Sequence, residues 1–547
     1  MRNSYPCRTV GACVPSRDCC VIVWEMVDIV TEVDLEFSWR ARSGCLWSVL
    51  PFILIVLMAL LAPVQIRAQS SLVPVIDAKA IESFIAEQLR YTSIPGVSIA
   101  ITFGNEIIYL DGMGHDSSKA AMTPQTSLYV GSLSKAFTGF ALLQLAEAGL
   151  IDLDRPVQDY LPEFVIGDPR GARITPRHLV RHTSGLTDRH NSEWGWPQAT
   201  SLESAVARLH TTRLSIDPGT RISYHNPNYH VAARLVEVVS GQTFANYLEE
   251  QIFEPLGMIN TRTVDWMDEP RDGAAYGHIF AFGKAFAAPG PDFFINGAGG
   301  LISTAQDMAA WLIMHANHGM GANGVRLLSE ATMREIQVPP SVVTPGIAYD
   351  YQFGWALTPA RSPPISQDGG LPTYSAHIGF EPEGGLGIVV LTNAAPPNAS
   401  WDEAARTIAL GVRAILRGED PTANGLRTGV IFDYSLSAVA LLVLIASVVN
   451  CRRARVWAVR FHQLPTWRMA VNLGKHVVVI ALLLIGIPML VSLVESWSWI
   501  WMAYYSPVYV AASALIVLAS GGLLIARILA LSGNRIASES ALYGQER

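Results

Sequence analysis

A serine and a lysine stand three positions apart in the segment GSLSKAFTG, residues 131–139. If a helix begins near Ser132, residues i and i+3 share one face, so the Lys135 amine can reach the Ser132 hydroxyl. A buried lysine shifts toward its neutral form, which can accept the hydroxyl proton, and unpaired N–H groups at a helix start can bind an oxyanion. The pair therefore predicts an activated serine nucleophile. Serine is also a common helix N-cap, and the spacing alone leaves both interpretations open.

A tyrosine and an asparagine two positions apart, Tyr224 and Asn226, form a second group with catalytic potential. They follow a Pro-Gly turn and precede the apolar segment VAARLVEVVSG, so we expect them in a loop at a helix start. A phenol close to a lysine can act as general base and then as general acid. Asn226 could hold the lysine ammonium or a substrate carbonyl, and His225 is expected to point away from the pair or to line the cleft. Alone, Tyr-x-Asn is typical of a turn.

Metal and thiol chemistry have little support in the sequence. His178 and His182 have the i, i+4 spacing of zinc-binding histidines on a helix, but the residues between them lack the glutamate of metalloproteases. The chain has no cysteine between Cys45 and Cys451, which excludes a thiol nucleophile or a cysteine-ligated zinc site there. We expect no metal and no cofactor.

The composition indicates a membrane protein. Hydrophobic residues make up 50% of the 547 positions, and charged residues make up only 16%. The formal net charge is −7, and basic residues cluster only within the C-terminal region of apolar runs. Nucleic-acid binding therefore has no basis in the sequence, whereas a lipid bilayer is an expected partner.

Four apolar runs mark the expected membrane segments. The first lies in residues 46–68, ends at a small-residue cleavage site, and predicts a signal peptide or N-terminal anchor. The other three predict transmembrane helices near 434–450, 476–494 and 507–525. The N-terminal extension, residues 1–45, has no assigned role.

Charge asymmetry sets the expected orientation. The loop after the first C-terminal run carries six basic residues, Arg452, Arg453, Arg455, Arg460, Arg468 and Lys475. Residues 495–506 carry no Lys or Arg and are rich in Trp and Tyr. Positive charge stays cytoplasmic, and aromatic rings favour the membrane interface. We therefore predict an extracytoplasmic domain over 69–420, a linker over 421–433 and a multi-pass membrane region over 434–547.

The extracytoplasmic domain has the pattern of an α+β fold. GVSIAITFGNEIIYLDGMG predicts two strands joined by a Gly-Asn turn, and HIGFEPEGGLGIVVLTNAA predicts a second hairpin. SKAFTGFALLQLAEAGL predicts a helix with an apolar face, and WDEAARTIALGVRAIL predicts the final helix. Residues 150–290 are expected to be mostly helix and loop. Strands at both ends of the domain are expected to meet in one sheet.

Seven segments resemble, in the same order, those of the serine beta-lactamase-related hydrolases. This family includes class C beta-lactamases, low-molecular-weight penicillin-binding DD-peptidases and related esterases. The segments are PGVSIAI, VGSLSKAFTGFALLQLAEAGLIDLDRPVQDYLPEF, ITPRHLVRHTSGL, PGTRISYHNPNYHVAARLVEVVSG, IFEPLGMINT, GAGGLISTAQDMAAWL and YQFGWAL. The resemblance covers nearly all of residues 75–415.

The resemblance implies both a fold and a catalytic group. The fold is the beta-lactamase/transpeptidase-like fold, in which an antiparallel sheet flanked by helices is joined to an all-helical lobe. The group is a Ser-x-x-Lys nucleophile at Ser132 with Lys135, together with a Tyr-x-Asn pair at Tyr224 and Asn226. The segment HLVRH, which contains His178 and His182, matches a family signature of structural character.

A third family motif lies on a sheet-edge strand and usually reads Lys/His-Thr-Gly. The segment SQDGGLPTYSA aligns Gln367 with its first residue and Gly369 with its last. The resemblance then implies an oxyanion hole made by the backbone N–H groups of Gly370 and Ser132. Gln367 departs from the motif, because a neutral amide does not pair with a substrate carboxylate as lysine does. Thr373 replaces a glycine that is usual further along.

The expected function is that of an extracytoplasmic serine hydrolase acting through an acyl-enzyme. Candidate substrates are cell-wall D-amino-acid peptides, beta-lactams and small esters. Gln367 favours an ester or amide without a free carboxylate. The alternative is a penicillin-binding or sensor protein that is acylated without turnover.

Overall fold

The computed structural model describes residues 76–547 apart from several segments. These segments are 193–194, 196, 268–275, 339–348, 359–362, 383–384, 396–402, 422–426, 462–463, 484–498 and 545–547. The predicted N-terminal extension and the predicted signal peptide or anchor lie outside the described residues.

The described strands and helices come in runs along the chain. The strands are β1 (Gly96–Phe103), β2 (Glu106–Gly114), β3 (Leu128–Tyr129), β4 (Arg262–Thr263), β5 (Gly277–Ala281), β6 (Lys284–Ala288), β7 (Leu301–Ser303), β8 (Asp350–Gln352), β9 (Trp355–Leu357), β10 (Ile365–Leu371), β11 (Tyr374–Phe380) and β12 (Leu386–Thr392). The helices are α1 (Ala78–Thr92), α2 (Ser134–Glu147), α3 (Pro176–Val180), α4 (Leu202–Ala207), α5 (Pro227–Ser240), α6 (Phe244–Leu248), α7 (Glu254–Leu256), α8 (Ala305–Ala316), α9 (Glu330–Gln337), α10 (Glu403–Leu416), α11 (Arg427–Arg452), α12 (Ala454–Phe461), α13 (Thr466–Ala481), α14 (Trp499–Tyr505) and α15 (Pro507–Gly544).

The main sheet is antiparallel and has seven strands in the order β2-β1-β12-β11-β10-β9-β8. Strand β1 pairs with β12, so that Ile99 lies opposite Val390. The two predicted hairpins are confirmed as β1–β2 and β11–β12, and the expectation that both ends of the domain meet in one sheet is confirmed. β-branched residues make up half of β1 and more than half of β12, as suits strands covered on both faces.

Alternate residues of β1 face two different cores. Ile99 packs with Phe84 of α1 and Val412 of α10, while Ala100 belongs to the larger core that contains α2 and α8. Successive side chains of a strand point to opposite faces, so α1 and α10 cover one face of the sheet and α8 covers the other. The predicted final helix is thereby confirmed as α10.

Helix α2 is buried nearly all round, which differs from the predicted one-sided apolar helix. Phe137 stacks on Trp311 of α8 with ring centroids 4.0 Å apart, and α2 also packs against α5 of the helical lobe. Of its residues only Gln144, Ala146 and Glu147 are not buried. The reason is position: α2 runs between α8, which covers the sheet, and the helical lobe, so both sides of it are covered.

Residues 150–260 form the predicted lobe of short helices and loops, α3 to α7. The expectation of helix and loop extended to residue 290, and there it is wrong in part. Strands β5 and β6 form a separate two-stranded hairpin in which Phe280 lies opposite Ala285. Its tight turn at Phe282 and Gly283, both with positive φ, was not read from the sequence.

Two of the described helices are long and apolar enough to cross a membrane, judged by length and composition. They are Val430–Arg452 and Pro507–Ser532, and they contain the predicted spans near 434–450 and 507–525. Of the third predicted span, near 476–494, the described part belongs to the shorter α13, and the remainder lies outside the described residues. The described chain therefore supports two candidate spans rather than three.

Candidate active site

Ser132 lies in a single turn of 3-10 helix, Gly131–Leu133, directly before α2. Gly131 has a φ of +55°, in the left-handed region that favours glycine, and a β-carbon there would lie 3.0 Å from the Gly370 nitrogen. Neither this turn nor α2 has a side-chain N-cap hydrogen bond. The alternative interpretation of Ser132 as a helix N-cap is therefore wrong.

Ser134 fixes the start of α2 instead. Its hydroxyl donates to the Gly131 carbonyl at 2.6 Å and accepts the Leu301 N–H at 2.9 Å. Both hydrogen bonds are buried, and they tie the turn Gly131–Leu133, here called the serine turn, to strand β7. The turn is held in place without use of the Ser132 hydroxyl.

Lys135 occupies the first turn of α2 and is fully buried. Its Nζ donates to Ser132 Oγ at 2.8 Å and to the Ala298 carbonyl at 2.7 Å. The amine also lies 4.9 Å from the ring centroid of Tyr224 and 5.7 Å from that of Tyr229. The i, i+3 relationship expected from the sequence thus places the amine directly on the serine oxygen.

Tyr224 reaches the same oxygen from a distant part of the chain. Its hydroxyl donates to Ser132 Oγ at 2.8 Å, although the two residues are 92 positions apart. Tyr224 precedes α5, and its side chain is 36% exposed, whereas Lys135 is inaccessible to solvent. The phenol therefore lies on the open side of the serine and the amine on the closed side.

His182 packs against the ring of Tyr224. Its imidazole lies 4.3 Å from the Tyr224 ring, and its Nδ1 accepts the His225 N–H at 3.2 Å and the Asn228 amide at 3.1 Å. Burial, and then the nearby Lys135 charge, lower the pKa of His182 well below its ordinary value, so the ring is neutral. His182 has a φ of +54°, which is uncommon outside glycine. The only sign of this role in the sequence is the family signature.

The two histidines considered for zinc do not form a metal site. His178 Nδ1 accepts the Thr175 N–H at 3.2 Å, as part of a capping box at the start of α3, while His182 lies beyond the end of that helix. His225 is buried, with its Nδ1 3.0 Å from a carboxylate oxygen of Asp188. Within the residues that the structure describes, no group of three or more His, Cys, Asp or Glu side chains could hold a metal ion.

Asn226 lies at the start of α5, where Pro227 takes the first helical position. Its Oδ1 is buried and has no hydrogen-bond partner among the described residues. The side-chain oxygen of Asn226 therefore does not accept a hydrogen bond from Lys135, which was one of the two expected roles of Asn226. A buried acceptor without a partner at this position is available to a donor group of a ligand.

Strand β10 brings the third motif against the serine turn. A β-carbon at Gly369 would lie 2.0 Å from the Val130 carbonyl oxygen, so only glycine allows this approach. Gly370 follows it, beside Gly131. Gln367 is 5% exposed, and its side-chain amide donates to the Asp368 carbonyl at 3.0 Å. The structure thus places Gly369 and Gly370 next to Ser132, with Gln367 buried further along the strand.

Asp368 is a half-buried charge that sequence reasoning missed. Its carboxylate accepts from His377 Nδ1 at 2.6 Å and from Arg406 of α10 at 3.0 Å. Burial alone would raise the pKa of Asp368, but the charges and hydrogen bonds of His377 and Arg406 outweigh it and lower the pKa. These contacts tie the strand of the third motif to α10. The signal available in the sequence was the alternation of strand side chains, which points Asp368 away from Gln367.

The fold and the site together define the class of protein. A mainly antiparallel sheet is flanked by helices, a helical lobe is inserted, and one serine is contacted by both a lysine and a tyrosine. Residues 81–413 match the sequence model of the family described as beta-lactamase. The chain therefore belongs to this serine beta-lactamase and penicillin-binding-protein family, and the predicted resemblance is confirmed.

Individual relatives agree with this assignment. Penicillin-binding protein 4 from Amycolatopsis lactamdurans is 29% identical over 311 residues, which are 55% of this chain and 81% of that protein. Protein flp from Staphylococcus aureus strain N315 is 24% identical over 57% of this chain, which spans 62% of that protein's length.

Solved structures show the same fold. The octameric penicillin-binding protein homologue from Pyrococcus abyssi is 26% identical with a TM-score of 0.54, over 66% of this chain and 82% of that chain. EstCE1, a hydrolase with promiscuous acyltransferase activity, is 20% identical with a TM-score of 0.52, over 62% of this chain and 98% of that chain. At that identity the likeness to EstCE1 concerns the fold alone.

Proposed function

We propose that this protein is a membrane-anchored serine hydrolase that cleaves an ester or amide through an acyl-enzyme. The observation that supports the proposal most directly is the position of Ser132 Oγ, which lies 2.8 Å from both Lys135 Nζ and the Tyr224 hydroxyl. A nucleophile within hydrogen-bond reach of two groups that move protons is the arrangement that covalent catalysis requires.

Ser132 is the nucleophile in this mechanism. Its Oγ forms a bond to the substrate carbonyl carbon, while its proton passes to the Tyr224 oxygen, which acts as the base in its phenolate form beside the Lys135 ammonium. The carbonyl oxygen becomes an oxyanion, which the backbone N–H groups of Ser132 and Gly370 stabilise. Tyr224 then returns the proton to the departing alcohol or amine as its bond to the carbonyl carbon breaks. Water hydrolyses the remaining ester on Ser132 with the same groups as general base.

The substrate class is an ester or amide without a free carboxylate. Gln367 stands where the family usually has Lys or His, and it is neutral and already donates to Asp368. A carboxylate would gain only amide hydrogen bonds at that position, which are weaker than charge-assisted ones. Asn226, with its buried Oδ1, is suited to accept from an N–H of the substrate. Small esters rank first in this proposal, ahead of D-amino-acid peptides and beta-lactams.

The proposed location is the outer side of a cell membrane. The candidate spans Val430–Arg452 and Pro507–Ser532 follow the hydrolase domain, and six basic residues lie in the segment 452–475 after the first span. Positive charge stays on the cytoplasmic side, which assigns the hydrolase domain to the opposite side. The lipid bilayer is then a partner of the C-terminal region.

The test uses the full-length protein in detergent micelles with three substrates: a nitrophenyl ester, a fluorescent penicillin and a D-Ala-D-Ala peptide. We expect turnover of the ester, and loss of that turnover in Ser132→Ala. Unchanged activity in this variant would remove the proposed nucleophile. Stable labelling by the penicillin without turnover of any substrate would instead establish the alternative, a penicillin-binding or sensor protein.

A further inference from the structure

The hairpin β5–β6 connects the hydrolase domain with the start of α11. The backbone N–H of Phe282, at the hairpin turn, donates to a carboxylate oxygen of Asp433 at 2.8 Å. The Phe282 ring also lies 5.2 Å from the ring of Tyr434. The turn of the hairpin is therefore in contact with the first residues of a candidate membrane span.

An apolar cavity of about 350 Å³, here called the junction cavity, lies beside this contact. Its lining residues come from the hairpin turn, α11 and α15, and none of them is charged. They are Ala281, Phe282, Ser437, Ala440, Pro507, Val508, Ala511, Ala512 and Leu515. Walls of this kind offer water almost no hydrogen bonds, whereas an apolar ligand can fill them.

The position of the junction cavity points to the occupant. Ala440 lies about 15 Å along the candidate span that begins at Val430, at 1.5 Å per residue. The α15 wall is the first part of the other span, which begins at Pro507. In a bilayer with a hydrocarbon core about 30 Å thick, the cavity lies in the half nearer the hydrolase domain. The apolar molecules present at that depth are lipid acyl chains.

We propose that the junction cavity binds one acyl chain of a membrane lipid, an inference that rests on the proposed membrane location. An apolar cavity of about 150 Å³ takes up benzene, so about 350 Å³ accommodates a hydrocarbon segment of about a dozen carbons. Small side chains on both helices, such as Ala440 and Ala512, leave this space. Both are nearly inaccessible to solvent, with exposures of 1% and 6%.

Strand β5 runs from the junction cavity toward the third motif. At the far end of this strand, the His278 N–H donates to the Thr373 carbonyl at 3.3 Å. Thr373 is in the turn that follows β10, the strand that carries Gly370. Ala281 and His278 are three residues apart, about 10 Å in a strand. Strand β5 therefore links the junction cavity to the turn that follows the strand carrying Gly370.

The experiment is photolabelling of the full-length protein in phosphatidylcholine vesicles that contain a diazirine-bearing acyl chain. Mass spectrometry of the labelled peptides is expected to find the label on the cavity-facing residues of α11 and α15. Ala440→Trp and Ala512→Leu fill the cavity from opposite walls. In both variants we expect the labelling of the cavity-facing residues to fall about tenfold. A tenfold loss of affinity is what the removal of about two buried methylenes from the contact costs.

Val439→Trp is the matched control, because its side chain is next to Ala440 but 51% exposed. It should keep full labelling of the cavity, and near-UV circular dichroism checks that all variants are folded. Equal labelling in Val439→Trp and both filling variants would overturn the proposal, since it would report bulk lipid. Cross-links between two chains at Ala440 would also overturn it, in favour of a second copy. Ser132→Ala should be labelled normally, so this outcome does not depend on hydrolysis.

Discussion

The imidazole of His182 lies against the phenol ring of Tyr224, with the ring centroids 4.3 Å apart and the planes inclined by 36°. The same imidazole accepts hydrogen bonds from the His225 backbone and from Asn228. His182 does not touch the serine oxygen; it holds the segment that presents Tyr224 to it. We infer that His182 is a positioning residue.

Substitution of His182 by phenylalanine is expected to keep the ring contact and to remove the acceptor for two buried donors. Leaving a buried donor unpaired costs about 1–3 kcal/mol, so the loss of the acceptor for two donors should lower the free energy of unfolding by about 2–6 kcal/mol. A displaced Tyr224 should lower kcat about tenfold with little change in KM, which corresponds to about 1.4 kcal/mol at the transition state.

His182→Asn tests the positioning role of His182 by keeping the hydrogen-bond acceptor and removing the ring. Asparagine tolerates the left-handed conformation of this position and offers an acceptor oxygen. It should recover more of kcat than phenylalanine does, although it loses the ring contact. If the two variants differ only in stability and have equal kcat, His182 has a purely structural role. Urea unfolding and steady-state ester kinetics measure the two effects separately.

Substitutions of Ser132 and Ser134, two positions apart, distinguish an effect on catalysis from an effect on stability. Ser132→Ala should abolish ester turnover by at least about a thousandfold, because it removes the nucleophile. Ser134→Ala removes two buried hydrogen bonds that tie the turn to β7. It should lower the free energy of unfolding by about 2 kcal/mol and keep a measurable fraction of the activity.

Thermal unfolding and ester kinetics on both variants give the answer. A stable Ser132→Ala protein without turnover, beside an unstable Ser134→Ala protein with turnover, is the expected pattern. The reverse pattern would show that Ser134 carries the reaction.

Gln367→Lys should restore a preference for substrates with a carboxylate. A charge-assisted hydrogen bond is about twice as strong as a neutral one, and the change should raise kcat/KM for a carboxylate substrate about tenfold relative to its methyl ester. Gln367→Met is the matched control of similar length without a charge. The measured quantity is the ratio of kcat/KM for the acid and the methyl ester of one substrate. A ratio unchanged by lysine would show that Gln367 does not face the substrate carboxylate.

His315 should make the protein less stable in acid. Burial among Trp311, Trp355 and Phe380 lowers the pKa of His315 from its ordinary value of 6.5 to about 3. Between these values the unfolded chain binds a proton that the folded chain does not. The free energy of unfolding therefore falls as the pH falls below 6.5, by about 1.4 kcal/mol per pH unit from this group.

His315→Phe removes that contribution. The free energy of unfolding of this variant should depend less steeply on pH than that of the natural protein. The two slopes should differ by about 1.4 kcal/mol per pH unit between roughly pH 6 and pH 4. Urea unfolding at several pH values measures both slopes. Parallel curves for the two proteins would contradict a neutral buried imidazole at this position.

The local features of the fold could be predicted from the sequence because they depend on neighbours along the chain. The alternating residues of β1 and β2 around the Gly-Asn turn predict a hairpin, and the structure has it. The spacing of Ser132 and Lys135 predicts that the two side chains lie on one face, and the Lys135 amine donates a hydrogen bond to the Ser132 hydroxyl. The order of the family motifs then predicted which distant residues belong together.

Only the tertiary structure decided the rest, because contacts between distant segments depend on the packing of whole elements. The N-cap interpretation of Ser132 fails because no side chain caps this turn or α2, and Ser134 holds the turn instead. The ion pair of Asp368 with Arg406 joins strand β10 to helix α10, two elements that no local pattern connects. Ser132 and Tyr224 are 92 positions apart, and the packing of the whole helical lobe brings them into hydrogen-bond contact. A short window of sequence contains no sign of that packing.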